Sequence, residues 1–255
     1  MTDMYKTPDA TLTESPEMDG FGSLERGKAG DYQFVIGDII REAWRKTKGA
    51  KGTVWLALLL YGIIMIPVTI GVPWLLEMAG MPSQQAPGAP FDPTLLVGLI
   101  VAQIISIAIT LPLGAGLFML GLKLASGVPV SATEVFGYFH KVLPLLVTVV
   151  VMYIMLIIGF ILLIIPGIYL AVAYYLAIPL VVEKGLGPWQ ALEASRKAIS
   201  KCWFRFFGLG FTLTLLMIVA AIPLGIGLIW VMPLLIIAFG IVYRNIFGLE
   251  GAAST

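Results

Sequence analysis

Hydrophobic positions gather in three long blocks separated by short charged stretches. The first block runs from Gly52 to Leu122. It is interrupted over 77–93, where Glu77, Asp92 and the prolines Pro82, Pro87, Pro90 and Pro93 read as a loop. The second has no charged residue from Val142 to Val182, 41 residues, and the third none from Phe206 to Tyr243, 38 residues. A hydrocarbon core about 30 Å thick takes about 20 helical residues, and a segment inside it must bond its own backbone, so runs this apolar are helices. A single helix of 41 residues would be about 60 Å long, so the second and third blocks double back. Pro166-Gly167 supplies one turn, and Pro223 with Gly225 and Gly227 the other. The pattern predicts an all-α, polytopic membrane helix bundle with transmembrane helices near 54–76, 95–119, 143–165, 168–182, 206–223 and 227–243.

A short amphipathic stretch precedes each block and predicts three interfacial helices. In the first, Ile36, Ile40, Ala43, Trp44 and Thr47 share a face opposite Arg41, Glu42, Arg45, Lys46 and Lys48. In the second, Ser131 and Glu134 have capping-box spacing ahead of Val135, Phe136 and Phe139. In the third, Pro188 opens a helix whose apolar face is Trp189, Leu192, Ser195, Ile199, Cys202 and Phe206. Glu42-Ala-Trp-Arg-Lys46 and Glu193-Ala-Ser-Arg-Lys197 resemble each other, and Pro112, Pro179 and Pro233 each precede a Leu in an even-numbered span. These agreements point to three parallel repeats of one unit: interfacial helix, span, turn, span.

Composition adds little beyond confirming the class: 59% of the 255 residues are hydrophobic and 12% charged, about half the charge of a soluble domain. That excludes a soluble enzyme, a nucleic-acid-binding domain and a disordered chain, and no nucleic acid is expected as partner. Charge position matters more. All 16 Lys and Arg fall in 1–53, 120–142, 183–205 and 244–255, which share one side in the six-span layout. Basic loops mark the cytoplasmic side, so both termini are expected there. Residues 1–33 carry seven acids against three bases and no apolar core, and read as a disordered cytoplasmic tail. The membrane domain occupies 34–248, and 249–255 form a short second tail.

Candidate chemistry is sparse. One Cys and one His exclude a multi-ligand Cys/His metal site, no cofactor motif is present, and the chain is not expected to be an enzyme. Two clusters stand out instead. Arg41, Arg45, Lys46, Lys48 and Lys51, with Arg196, Lys197, Lys201 and Arg205, form a basic belt. Such a belt sets topology, and can also contact anionic lipid head groups or a protein partner. Gln103, Ser106 and Thr110 lie three and four residues apart on one face of a span, either for interhelical hydrogen bonds or as a polar lining. No charge lies inside a predicted span, which counts against a proton-coupled transporter.

The stretch Pro166-Gly-Ile-Tyr-Leu-Ala-Val-Ala-Tyr-Tyr-Leu-Ala-Ile-Pro179, continuing through Val182-Glu-Lys-Gly-Leu-Gly-Pro-Trp-Gln-Ala-Leu-Glu193-Ala-Ser-Arg-Lys197, resembles the membrane domain that accompanies some bacterial glycerophosphoryl diester phosphodiesterases and related stand-alone membrane proteins. The likeness is best over 110–245. It implies a multi-pass protein of the bacterial inner membrane, without the soluble hydrolase domain and without any catalytic residue to carry over. The expected function is a non-enzymatic scaffold or lipid- or partner-binding module. The alternative is a transporter or channel for a small or lipidic solute.

Overall fold

The computed structural model describes residues 21–81 and 92–250 and is helical, with no strand among them. Its helices are α1 (Leu24–Ala29), α2 (Ile36–Met78), α3 (Pro93–Ser126), α4 (Val142–Leu162), α5 (Ile164–Ala173), α6 (Ala177–Glu183), α7 (Pro188–Lys201), α8 (Trp203–Ala221) and α9 (Leu228–Phe247). Six segments are long and apolar enough to cross a membrane: α2, α3, α4 with the short turns before it, α5 with α6, α8 and α9. The chain is a multi-pass membrane helix bundle, as its hydrophobic pattern predicts. It is built from three hairpins, α2–α3, α4–α5/α6 and α8–α9.

The expected interfacial helices meet three fates. The first is not separate: Ile39, Ala43, Thr47, Ala50, Val54 and Ala57 form one buried stripe, so amphipathic stretch and span fuse into the 43 residues of α2. Gly49 and Gly52 alone do not break it, because helical packing on both sides outweighs their propensity cost of about 1 kcal/mol each. Trp44, expected on the apolar face, is exposed. The second stretch is two 3-10 turns, Ala132–Phe136 and Phe139–Lys141. Its capping box is present: the Ser131 hydroxyl accepts from Thr133 N–H and the Glu134 carboxylate from Ser131 N–H. The third stretch is α7, with Pro188 at its first turn and the Gln190 side chain reaching back to Gly187 N–H at 3.3 Å. Leu192, Ser195, Ile199, Cys202 and Phe206 are buried as expected, whereas Trp189 is exposed.

The turn of the second hairpin falls at Leu163, in extended conformation, three residues before Pro166. Pro166 instead sits in the first turn of α5, where a missing N–H costs nothing. Gly167 permits close helix approach rather than a bend. A Cβ there would overlap the Phe160 ring, and one on Gly159 would lie 3.2 Å from the Gly167 Cα. The even-numbered span is broken again at 174–176, four residues ahead of Pro179, and the gap is filled from outside. Buried Ser195 of α7 donates to the Ala173 carbonyl at 2.7 Å and accepts from Leu176 N–H at 3.2 Å.

The core sits where α2, α3 and α9 meet. At the α3–α9 crossing, a Cβ on Gly121 would strike Ile236 backbone and one on Gly240 would strike Gly121 backbone, so the two helices touch main chain to main chain. Residues 21–33 are not a free tail. Ser23 caps α1, Gly22 and Gly27 lie against Ile246 and Phe247, and the Tyr32 hydroxyl donates to the Ala198 carbonyl at 2.6 Å. Residues 1–20 and 251–255 of the two expected tails lie outside the described residues.

Candidate functional site

The basic belt divides into cations consumed by the fold and cations that are not. Arg244, at the end of α9, is the most buried of them. Its fork grips the Glu42 carboxylate at 2.8 and 3.0 Å, and it also donates to the Ala125 carbonyl and to Asn245 Oδ1, while the Phe21 ring lies 4.7 Å from its guanidinium carbon. This side chain ties α2, α3, α9 and the N-terminal segment together. Sequence reasoning counts it only as one flanking base. The signal available was Glu42, an acid amid five bases.

Lys123 at the end of α3 pairs with Glu134. Lys184 lies 3.4 Å from Glu183 and 3.3 Å from Glu250, and Glu183 accepts from the Tyr243 hydroxyl. The cation ending each hairpin is therefore an internal tie. In two of the three, it joins an acid of the next unit around the bundle, with Arg244 closing back on the first.

Of the nine belt residues singled out by sequence, Arg41 pairs with Asp38 at 3.3 Å and Lys46 lies 3.8 Å from Glu42. Lys51 lies 4.9 Å from the centre of the Trp230 ring. Arg196 and Lys197 both bind Glu193, at 2.8 and 3.3 Å, and these contacts hold the Glu193 carboxyl below its ordinary range, Arg196 contributing most. Among the described residues, no carboxylate lies within 4 Å of Arg45, Lys48, Lys201 or Arg205. Gln103 is exposed, Ser106 is half-buried, and the Thr110 hydroxyl turns back to the Ile107 carbonyl of its own helix.

Lys201 and Arg205 flank the break at Cys202 between α7 and α8 and line a pocket of about 680 Å³. Its polar rim adds Ser200 and Tyr169, which share a hydrogen bond. Its apolar wall is Ile165, Ile168 and Phe204. Trp203 fixes the geometry. Its indole N–H donates to the Tyr169 carbonyl at 3.2 Å, and its ring stacks on Phe207 at 5.3 Å and 4°. Cys202 at the base is buried beneath the Tyr32 hydroxyl 3.1 Å away, and burial pushes its thiol up from the ordinary value despite Tyr32 and Arg205. Two unpaired cations and two hydroxyls above an apolar wall can hold an anionic oxygen group joined to a hydrocarbon chain. Among the described residues, no three His, Cys, Asp or Glu side chains gather at one point.

No family model, curated protein or solved structure matches the chain.

Proposed function

We propose that the chain is a non-enzymatic module of a bacterial inner membrane that binds anionic phospholipid, with its basic belt and both termini on the cytoplasmic side. The observation that carries the reading is the pocket between α5 and the α7–α8 junction. There Lys201 and Arg205 are left without acidic partners beside an apolar wall open to the bundle's lipid-facing side. Charged side chains that only set topology need no such wall; a phospholipid does. The bacterial inner-membrane setting rests on the resemblance over 110–245.

The bundle interior favours a binding module over a transporter. Among the described residues, the buried polar and charged side chains are Thr47, Thr148, Ser195 and Arg244. Thr47 and Thr148 bond to carbonyls of their own helices, Ser195 fills the break before α6, and Arg244 is fully engaged. A solute path needs polar groups that are free to exchange partners.

The test uses the full chain in nanodiscs of mixed zwitterionic and anionic phospholipid. Native mass spectrometry should show anionic lipid retained by the wild type and lost from K201E/R205E. Equal retention by the variant removes the reading.

A further inference from the structure

We propose that the α4–α5 and α8–α9 hairpins end inside the hydrocarbon near the basic side of the membrane, and that α2–α3 is the hairpin that reaches the opposite water. Their apolar tips are a surface whose partner is the acyl-chain region of one leaflet. All six helices are long enough to cross; contact register decides how deep each one goes.

The third hairpin is placed by α2. Arg244 binds Glu42 near the start of α2, and at the other end of α9 the Ile229 carbonyl accepts from the Trp55 indole at 3.0 Å while Trp230 lies under Lys51. Thus α9 runs antiparallel to the segment 42–55, and its tip at 222–227 is level with Trp55. Beyond Trp55, α2 continues for 23 residues to Met78, about 35 Å. That distance alone matches a hydrocarbon core of about 30 Å. This stretch is apolar and turned outward, with Ile63, Ile66, Ile70 and Trp74 all exposed. Were 222–227 in the far water, this length of α2 would stand in water as well.

The second hairpin is placed by α7. Tyr169 lies six residues past Leu163, about 9 Å along α5. Its hydroxyl meets Ser200 and its carbonyl accepts from Trp203, at the junction that carries Lys201 and Arg205. Lys201 in turn packs on Gly30, and Tyr32 bonds Ala198, so the junction belongs to the same end as α1 and the start of α2. A tip this close to two unpaired cations cannot lie across the membrane from the basic side.

The tips are chemically suited to that depth. Residues 159–168 and 219–229 contain no polar side chain. Ile161, Ile165, Ile222 and Leu224 are exposed, Leu224 at 96%. Leu224 also has φ +53°, a conformation that favours Gly or Asn, so an apolar side chain is kept there against the preference of the backbone. Tip amides are bonded within the turn, as hydrocarbon requires: Gly225 N–H to the Ala221 carbonyl, Ile226 to Pro223 and Leu228 to Gly225, with Leu163 to Gly159 in the second hairpin. The α2–α3 turn differs, with Glu77 before it and Asp92 capping α3 after it.

The test places single cysteines in a C202S background of the full chain, spin-labelled in nanodiscs: Ile165→Cys, Ile222→Cys and Leu224→Cys at the tips, Ala79→Cys at the far end, and His140→Cys at the basic end. Nitroxides at the three tips should show oxygen accessibility above, and nickel-complex accessibility severalfold below, those at Ala79 and His140. In sealed vesicles, a membrane-impermeant maleimide on the far side should label Ala79→Cys alone. Tip nitroxides as open to nickel as Ala79→Cys, or far-side labelling of any tip, overturns the proposal. Three tip sites keep the result independent of one variant misfolding, and neither readout depends on the lipid pocket.

Discussion

Replacing Glu42 by Gln isolates the tie that closes the bundle. The Glu42 and Arg244 side chains are 24% and 9% exposed, joined by two charge-assisted bonds. Removing one member of a fully buried ion pair costs about 3–5 kcal/mol, because the other is left buried and uncompensated. Here Arg244 keeps the Ala125 carbonyl, Asn245 and the Phe21 ring, and Glu42 is partly hydrated, so the expected loss is smaller, about 2 kcal/mol, or roughly thirtyfold in the folding constant. Graded SDS unfolding in mixed micelles, followed by circular dichroism, reads this directly. R244M and the double variant complete a cycle, whose coupling should be about 1–2 kcal/mol. Glu193→Gln is the control: its two cationic partners are largely exposed, so its loss should stay within about 0.5 kcal/mol. If E42Q costs no more than the control, or the cycle shows no coupling, the closing role of Arg244 is wrong.

Ser195→Ala should cost about 1–3 kcal/mol by leaving the Leu176 N–H and the Ala173 carbonyl unbonded in the core; a loss below 0.5 kcal/mol in the same titration would mean that the break is held otherwise. Gly240→Ala should be worse than a typical overpacking change of about 1–3 kcal/mol, because the new methyl meets Gly121 backbone rather than a movable side chain. Wild-type thermal stability in that variant would contradict the main-chain contact. The Cys202 thiol titrates above its ordinary value, so the folded protein holds its proton to higher pH than a free thiol does. Alkylation at pH 8 should therefore be slow in bicelles and fast after SDS unfolding, and Tyr32→Ala should speed it in the folded state. Equal rates folded and unfolded would show an open thiol.

Six apolar helices were legible because charge-free runs of 41 and 38 residues exceed any single crossing. The Ser131 capping box and Pro188 start were legible because local hydrogen bonding decides them. The Leu163 turn was not, since Pro166 fits a helix start as well as a turn, and Gly167 serves a contact with Phe160 that spacing does not reveal. Continuity of α2 was missed because the basic residues 41–51 suggested a separate surface helix, whereas the buried stripe from Ile39 to Ala57 depends on what packs beside it. For the site, Lys201 and Arg205 were visible as charges, but their freedom emerged only once Arg196 and Lys197 were seen to share Glu193. The part played by Arg244 rests on contacts as distant in sequence as Glu42 and Ala125.

The three hairpins enter from one face, yet only α2 and α3 continue past the level of Trp55. The molecule is thus broad at one end and slender at the other, a tapered inclusion. In a flat bilayer, the leaflet around the slender end must spread its chains to fill the missing cross-section, and the sheet relieves that strain by curving. The chain should accordingly gather where the membrane already bends to suit it, and crowding many copies together should bend a membrane that does not.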